Sequence, residues 1–125
     1  MSGLTLDAGA LIAFDRNDRA VVAMVSRALK RRQRLAVPAG VVGQAWRDGR
    51  TQAWLARLLG SGLVEIDVLD DMRARAAGQL CGATHTADVI DASVVLCARH
   101  RGHGVLTSDA DDLRRLDSSL RYVSV

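Results

Sequence analysis

Asp88 and Asp91 stand three residues apart in TADVIDASVVL, a stretch mostly apolar from Val89 to Leu96. Residues three apart on a helix share a face, and an unpaired buried carboxylate is costly, so something must compensate this pair. Two more aspartates close apolar, β-rich runs: Asp7 ends GLTLD and Asp109 follows GVLTS. In an open α/β sheet, ligands bind beyond the carboxyl ends of the strands, at a topological switch point. If these two runs are neighbouring strands, all four carboxylates face one crevice. Two carboxylates ~5 Å apart repel by about 3 kcal/mol at an effective dielectric near 20. Four together require raised pKa values or a divalent cation. Oxygen-only ligands select hard ions, Mg²⁺ or Mn²⁺. Such a centre activates water and stabilises in-line displacement at phosphorus.

Taken singly, most of these residues also have a structural reading. Asp7 is placed to N-cap AGALIAF. Thr86 is placed to cap the helix that follows it, with Asp88 favoured by the macrodipole. Ser108 or Asp109 is placed to cap ADDLRRL. Asp91 fits this reading worst, because it lies a turn inside its helix among Ile90, Ala92 and Val94.

The elements that must position these groups alternate along the chain. Five β-rich runs, 3–7, 34–38, 63–68, 104–108 and 121–125, are separated by amphipathic stretches at 8–14, 18–33, 40–60, 70–81, 87–101 and 110–117. That alternation predicts an α/β domain with a parallel sheet. The single proline, Pro38, closes the second strand, and Gly102 and Gly104 punctuate the way into the fourth. The 40–60 stretch divides into two helices near RDGR (47–50). Its Trp46, Trp54, Leu55, Leu58 and Leu59 read first as core packing, with a partner or dimer interface as the alternative.

The 125 residues suit one domain with a proper core. Apolar residues make up 49% and aromatics 3%, so Ala, Val and Leu must build that core. Cys81 and Cys97 lie in apolar helical surroundings and read as buried thiols. No signal peptide is visible, and no apolar run approaches the ~18 residues of a membrane span; a soluble cytoplasmic protein is expected. The net charge is +3, and every basic residue but Lys30 is arginine. Arginine suits bidentate phosphate recognition. Basic clusters at 30–34, 47–50, 99–103 and 114–115 are candidates to track a polyanion, Arg47 and Arg50 foremost. His85 precedes the acidic helix and reads first as a loop residue, and His100 and His103 read as surface turn residues.

LTLDAGALIAF, ADVIDASVVLCA and GVLTSDADDL, in that order, resemble the PIN-domain ribonucleases, and among them the VapC toxins of type II toxin–antitoxin systems. The resemblance covers essentially the whole chain. It implies a PIN-like three-layer α/β fold: a five-stranded parallel sheet in the order 3-2-1-4-5 flanked by helices. It also implies Mg²⁺- or Mn²⁺-dependent endonucleolytic cleavage of structured RNA such as tRNA or rRNA, leaving a 5′-phosphate and a 3′-hydroxyl. Asp7, Asp91 and Asp109 match metal-centre positions, Asp88 an additional acidic position, and Thr107 a hydroxyl-bearing position beside the centre. A small VapB-like antitoxin and a homodimer are the implied partners.

One position departs from the pattern. Where the family usually carries a glutamate after strand two, VVGQAW places Gln44. Gln44 can offer a carbonyl oxygen but no negative charge, so weaker cation binding and weaker catalysis are expected. Asp48 substitutes for that charge only if the helix continues to it, and Glu65, the chain's sole glutamate, lies too far off in the third strand. A degenerate domain that binds antitoxin or RNA is the alternative function. A phosphoacceptor response-regulator domain is disfavoured, because the only lysine, Lys30, lies in a helix and Asp70 and Asp71 are poor matches to the acceptor position.

Overall fold

The computed structural model describes residues 3–125. Its strands are β1 (Gly3–Leu6), β2 (Arg34–Pro38), β3 (Val64–Asp67), β4 (Gly104–Thr107) and β5 (Tyr122–Ser124). The helices are α1 (Ala8–Asp15), α2 (Arg19–Lys30), α3 (Ala39–Ala45), α4 (Ala53–Leu59), α5 (Asp71–Thr84), α6 (Val89–Arg101) and α7 (Ala110–Leu116). All five strands are parallel and lie in the order β3-β2-β1-β4-β5. β1 therefore pairs with β2 on one side and β4 on the other, and the crevice between the ends of β1 and β4 is the switch point.

Burial follows from this order. β1 and β4 are buried along their whole length and β2 from Leu35 onward, whereas the edge strands β3 and β5 are largely open. Central parallel strands need cover on both faces, which the crossover helices supply. α6 contributes Ala92, Val94, Val95, Cys97 and Ala98 to the core, beside Leu6, Leu11, Leu35, Leu55, Leu106 and Leu113. Both cysteines are buried free thiols, as expected. Among the described residues, no single helix is long and apolar enough to cross a membrane.

Aspartate starts most of the longer helices. Asp7, Asp18, Asp70 and Asp88 each accept a backbone N–H from the residue three positions on, at 2.9, 3.1, 2.8 and 2.9 Å. The cap of α6 is thus Asp88. Thr86 instead hydrogen-bonds Thr84, its hydroxyl lying 3.0 Å from that of Thr84. α6 ends at Gly102, whose φ of 67° is a left-handed conformation that suits glycine.

Three expectations need correction. The tryptophans are not core residues: Trp46 is 37% and Trp54 57% exposed, while Leu55 and Leu58 are buried. Their separation follows from the break at 46–52, which ends the shared helical face. Second, α2 stops at Lys30 rather than 33, because Arg32 turns left-handed (φ 55°) before β2. Third, His103 is a buried residue at the foot of β4, its Nδ1 3.1 Å from Thr5 Oγ1. Burial holds its pKa below the usual histidine value, with the Arg101 charge acting in the same direction.

Candidate active site

The crevice is built from the residues that end β1 and β4. Asp7 follows β1 directly, and its backbone N–H donates to Leu106 O of β4 at 3.2 Å. Its side chain is almost fully buried. Oδ1 accepts the Ala10 N–H, and Oδ2 accepts a short hydrogen bond from the Thr107 hydroxyl. The same Thr107 Oγ1 accepts the Asp109 N–H at 2.8 Å. One hydroxyl thus ties the two strand-end aspartates together. Burial raises the Asp7 pKa, opposed by the Thr107 bond and by backbone N–H groups at Ala10, Ser108 and Gly9.

Asp91 stands in the first turn of α6, half-buried. Its pKa is pushed up to about 6, first by burial and then by the negative charges of Asp88, Asp7, Asp109 and Asp112. Asp109 is also raised, chiefly through a hydrogen bond with the Asp112 carboxyl, with burial and the charges of Asp112 and Asp7 adding to it. Carboxylates from β1, α6 and the β4–α7 turn therefore share one electrostatic field.

Asp112 was not singled out by the sequence reading. A cue was present: Asp109 and Asp112 repeat the three-residue spacing of Asp88 and Asp91. Beside the strand ends, a cleft of ≈ 230 Å³ is lined by His85, Thr86, Asp88, Asp91, Asp112 and Arg115, with Ala87 and Leu116. His85 is exposed, as expected of a loop residue, but it also forms part of this wall. Its left-handed φ of 56° ends α5 and swings the chain into α6.

Gln44 is exposed near the end of α3. It lies one turn beyond Gly40, where an added Cβ would meet Ile90 Cδ1 at 2.3 Å, so this side of α3 runs close beside the start of α6. Asp48 does not replace the missing charge. α3 ends at Ala45, and Asp48 pairs with Arg50 in the following turn, at 3.2 Å. Glu65 is bound to Arg101 at the sheet edge, away from the crevice.

The residues able to hold a cation are Asp7, Asp91 and Asp109, with Asp88 and Asp112 alongside. Among the described residues, no three His, Cys, Asp or Glu side chains close into a ready-made metal cage. Asp88 spends one oxygen on its cap, and both Asp7 oxygens already accept hydrogen bonds. This open set still fits Mg²⁺ or Mn²⁺. Mg²⁺ keeps several waters and needs one or two direct carboxylates rather than a dedicated cage. The aspartate charges that add to burial in raising Asp91 are ones a divalent ion would neutralise.

No family model and no curated protein matches the sequence. Solved structures do. The chain is similar to VapBC2 from Rickettsia felis bound to a DNA fragment from their promoter (TM-score 0.70, 13% identity, 98% of each chain covered). It is also similar to FitAB bound to the IR36 DNA fragment (TM-score 0.66, 15% identity, 97% of this chain and 94% of that one). A third similar structure is FitAcB from Neisseria gonorrhoeae (TM-score 0.65, 17% identity, 97% and 96%). The fold is PIN-like. At these identities the likeness speaks for the arrangement of strands and helices, and the chemistry rests on the side chains themselves.

Proposed function

We propose that this protein is a toxin of the VapC type: a Mg²⁺- or Mn²⁺-dependent endoribonuclease that cleaves structured RNA, tRNA or rRNA, to stop translation. The observation that carries the reading is the gathering of Asp7 and Asp109 at the paired ends of β1 and β4, tied through Thr107, with Asp91 in the adjoining first turn of α6, raised first by burial and then by the charges of the other aspartates. The sheet order and the three solved structures support it. So does the resemblance of the segments around Asp7, Asp91 and Asp109.

In this reading Asp7, Asp91 and Asp109 hold the cation, and Asp88 and Asp112 add to the field that attracts it. The bound ion supplies charge neutralisation and water activation for phosphodiester hydrolysis. Thr107 fixes the Asp7 carboxylate against β4 and holds the Asp109 backbone, so both acids are oriented before any substrate arrives. Burial keeps Asp7 from reaching freely into solvent. Gln44, on the side of α3 that runs beside the start of α6, would face substrate or a cation-bound water, but contributes no charge. The surrounding arginines would attract the RNA backbone, making binding salt-dependent. A VapB-like antitoxin and a homodimer are the partners proposed, in the cytoplasm. In the Rickettsia felis structure, VapBC2 is bound to promoter DNA, which fits a partner that regulates transcription.

The decisive experiment is cleavage of total RNA by purified protein in Mn²⁺, followed by sequencing of the new ends. Cleavage that leaves 5′-phosphates, that Asp7→Asn abolishes and that Gln44→Glu increases is the expected result. The second reading, a binding module without chemistry, is favoured by Gln44. It wins if the native protein never cleaves while the Gln44→Glu variant does.

A further inference from the structure

Arg115, of the basic pair at 114–115, lines the cleft beside the acidic crevice. We propose that Arg115 grips a phosphate of the RNA strand next to the scissile one, so that the cleft between the α5–α6 turn and α7 is a substrate-positioning site. This rests on the RNase reading and adds a residue to it.

The cleft puts Arg115 on the same wall system as Asp88, Asp91 and Asp112. Asp91 lines this cleft from the first turn of α6, so the cleft adjoins the proposed cation centre. A phosphate could not sit there against three carboxylates alone. Once a cation neutralises them, a guanidinium on the open side completes an anion site, and its planar fork matches phosphate bidentately.

Arg115 is also poorly committed elsewhere. Its ion pair with Asp112 spans 3.8 Å, beyond hydrogen-bonding distance, and its side chain is 74% exposed. Nearby arginines are held more firmly. Arg114 bonds Asp111 at 3.1 Å, and Arg99 makes two bonds to Asp117 Oδ2, at 3.2 and 2.9 Å. Arg115 can leave Asp112 at little cost, since an exposed pair of this kind contributes little. Its departure would in turn remove a competing positive charge from Asp112, which keeps its hydrogen bond with Asp109.

The test compares wild type, Arg115→Gln, Arg115→Lys and Arg114→Gln. Binding of a fluorescein-labelled, mixed-sequence single-stranded RNA is read by anisotropy across a salt series, in Ca²⁺ in place of Mg²⁺ or Mn²⁺. Cleavage of the same RNA is then followed in Mn²⁺. For Arg115→Gln, RNA binding weakened about tenfold and a salt slope smaller by about one are expected. In cleavage, KM should rise more than kcat falls. Arg115→Lys should recover the slope but only part of the affinity, and Arg114→Gln should match wild type. If wild type binds and cleaves while Arg115→Gln does both equally well, with an unchanged salt slope, the proposal is overturned and the nuclease reading stands. If Arg114→Gln loses as much as Arg115→Gln, a diffuse basic helix replaces the specific site. If wild type neither binds nor cleaves, both readings fall.

Discussion

At the scale of single residues, Asp91 gives the sharpest expectation. Its folded pKa is about 6 against an ordinary 3.8, so between those values the native state holds more protons than the unfolded chain. Stability therefore falls as pH rises through that window, and the deficit is complete above it. Asp91→Asn should melt at a higher temperature than wild type at pH 7.5, by about 1 kcal/mol in stability once solvent screening of this half-buried group is allowed for. The gap should close near pH 4, in metal-free thermal melts. Mn²⁺ uptake by the native protein, followed calorimetrically, should strengthen as pH rises past about 6, because only the ionised Asp91 attracts the ion. Thr107→Val makes a second case. It removes the donor to Asp7 and the acceptor for the Asp109 N–H. A loss of about 1–3 kcal/mol follows from leaving buried polar groups unpaired, while Thr107→Ser should retain most of the stability in denaturant titrations. Spacing and strand ends pointed to the four aspartates, because Asp91 had no easy structural role. Asp112 was hidden because a second acidic residue in a first helical turn is ordinary.

At the scale of elements, the α3–α4 turn shows what local pattern alone could not reveal. Gln52 is buried, and Oε1 accepts the N–H groups of Arg47 and Asp48 at 2.7 and 2.8 Å. Its Nε2 donates to Ala45 O at 2.9 Å and Asp15 Oδ2 at 3.0 Å. A single amide thus fixes the turn that presents Trp46, Arg47 and Arg50. Gln52→Glu swaps a donor for an acceptor facing two acceptors, one of them charged. It should cost about 2–3 kcal/mol, with Asp15→Asn restoring part of it in a double-mutant cycle by chemical denaturation. The break near 47–50 was legible from Asp-Gly and the flanking charges. That Gln52 holds it was not, because nothing local marks a glutamine as buried. The cap of α6 differs from expectation for a related reason: Thr86 and Asp88 are both good caps, and only the packing of α6 decides between them.

At the scale of the whole molecule, the strand order did most to assemble the site. β1 and β4 are far apart in sequence, and their pairing puts Asp7 and Asp109 at one crevice. Alternating β and α runs with buried central strands made the parallel sheet legible; the order came from the family resemblance, and the structure bears it out. Opposite the crevice, Arg101 closes the far end of α6 onto β3. It donates to Glu65, and to Asp67 at 2.8 Å, while Arg73 Nε lies 3.2 Å from the other Asp67 oxygen. That second Asp67 oxygen makes no well-formed hydrogen bond and relies on the ion pair. Arg101→Met should destabilise by about 1–2 kcal/mol, because it removes a charge-assisted hydrogen bond and leaves the buried Asp67 carboxylate to Arg73 alone, with Asp67→Asn recovering part of that loss in urea unfolding. Asp7 carries a consequence of its own. It opens α1, clasps β4 through Thr107 and sits at the proposed cation centre, so an alanine there would loosen a helix and a strand seam together. A dead enzyme would then say nothing about catalysis. Asparagine keeps an oxygen for the Ala10 amide, which makes it the substitution whose silence can be read.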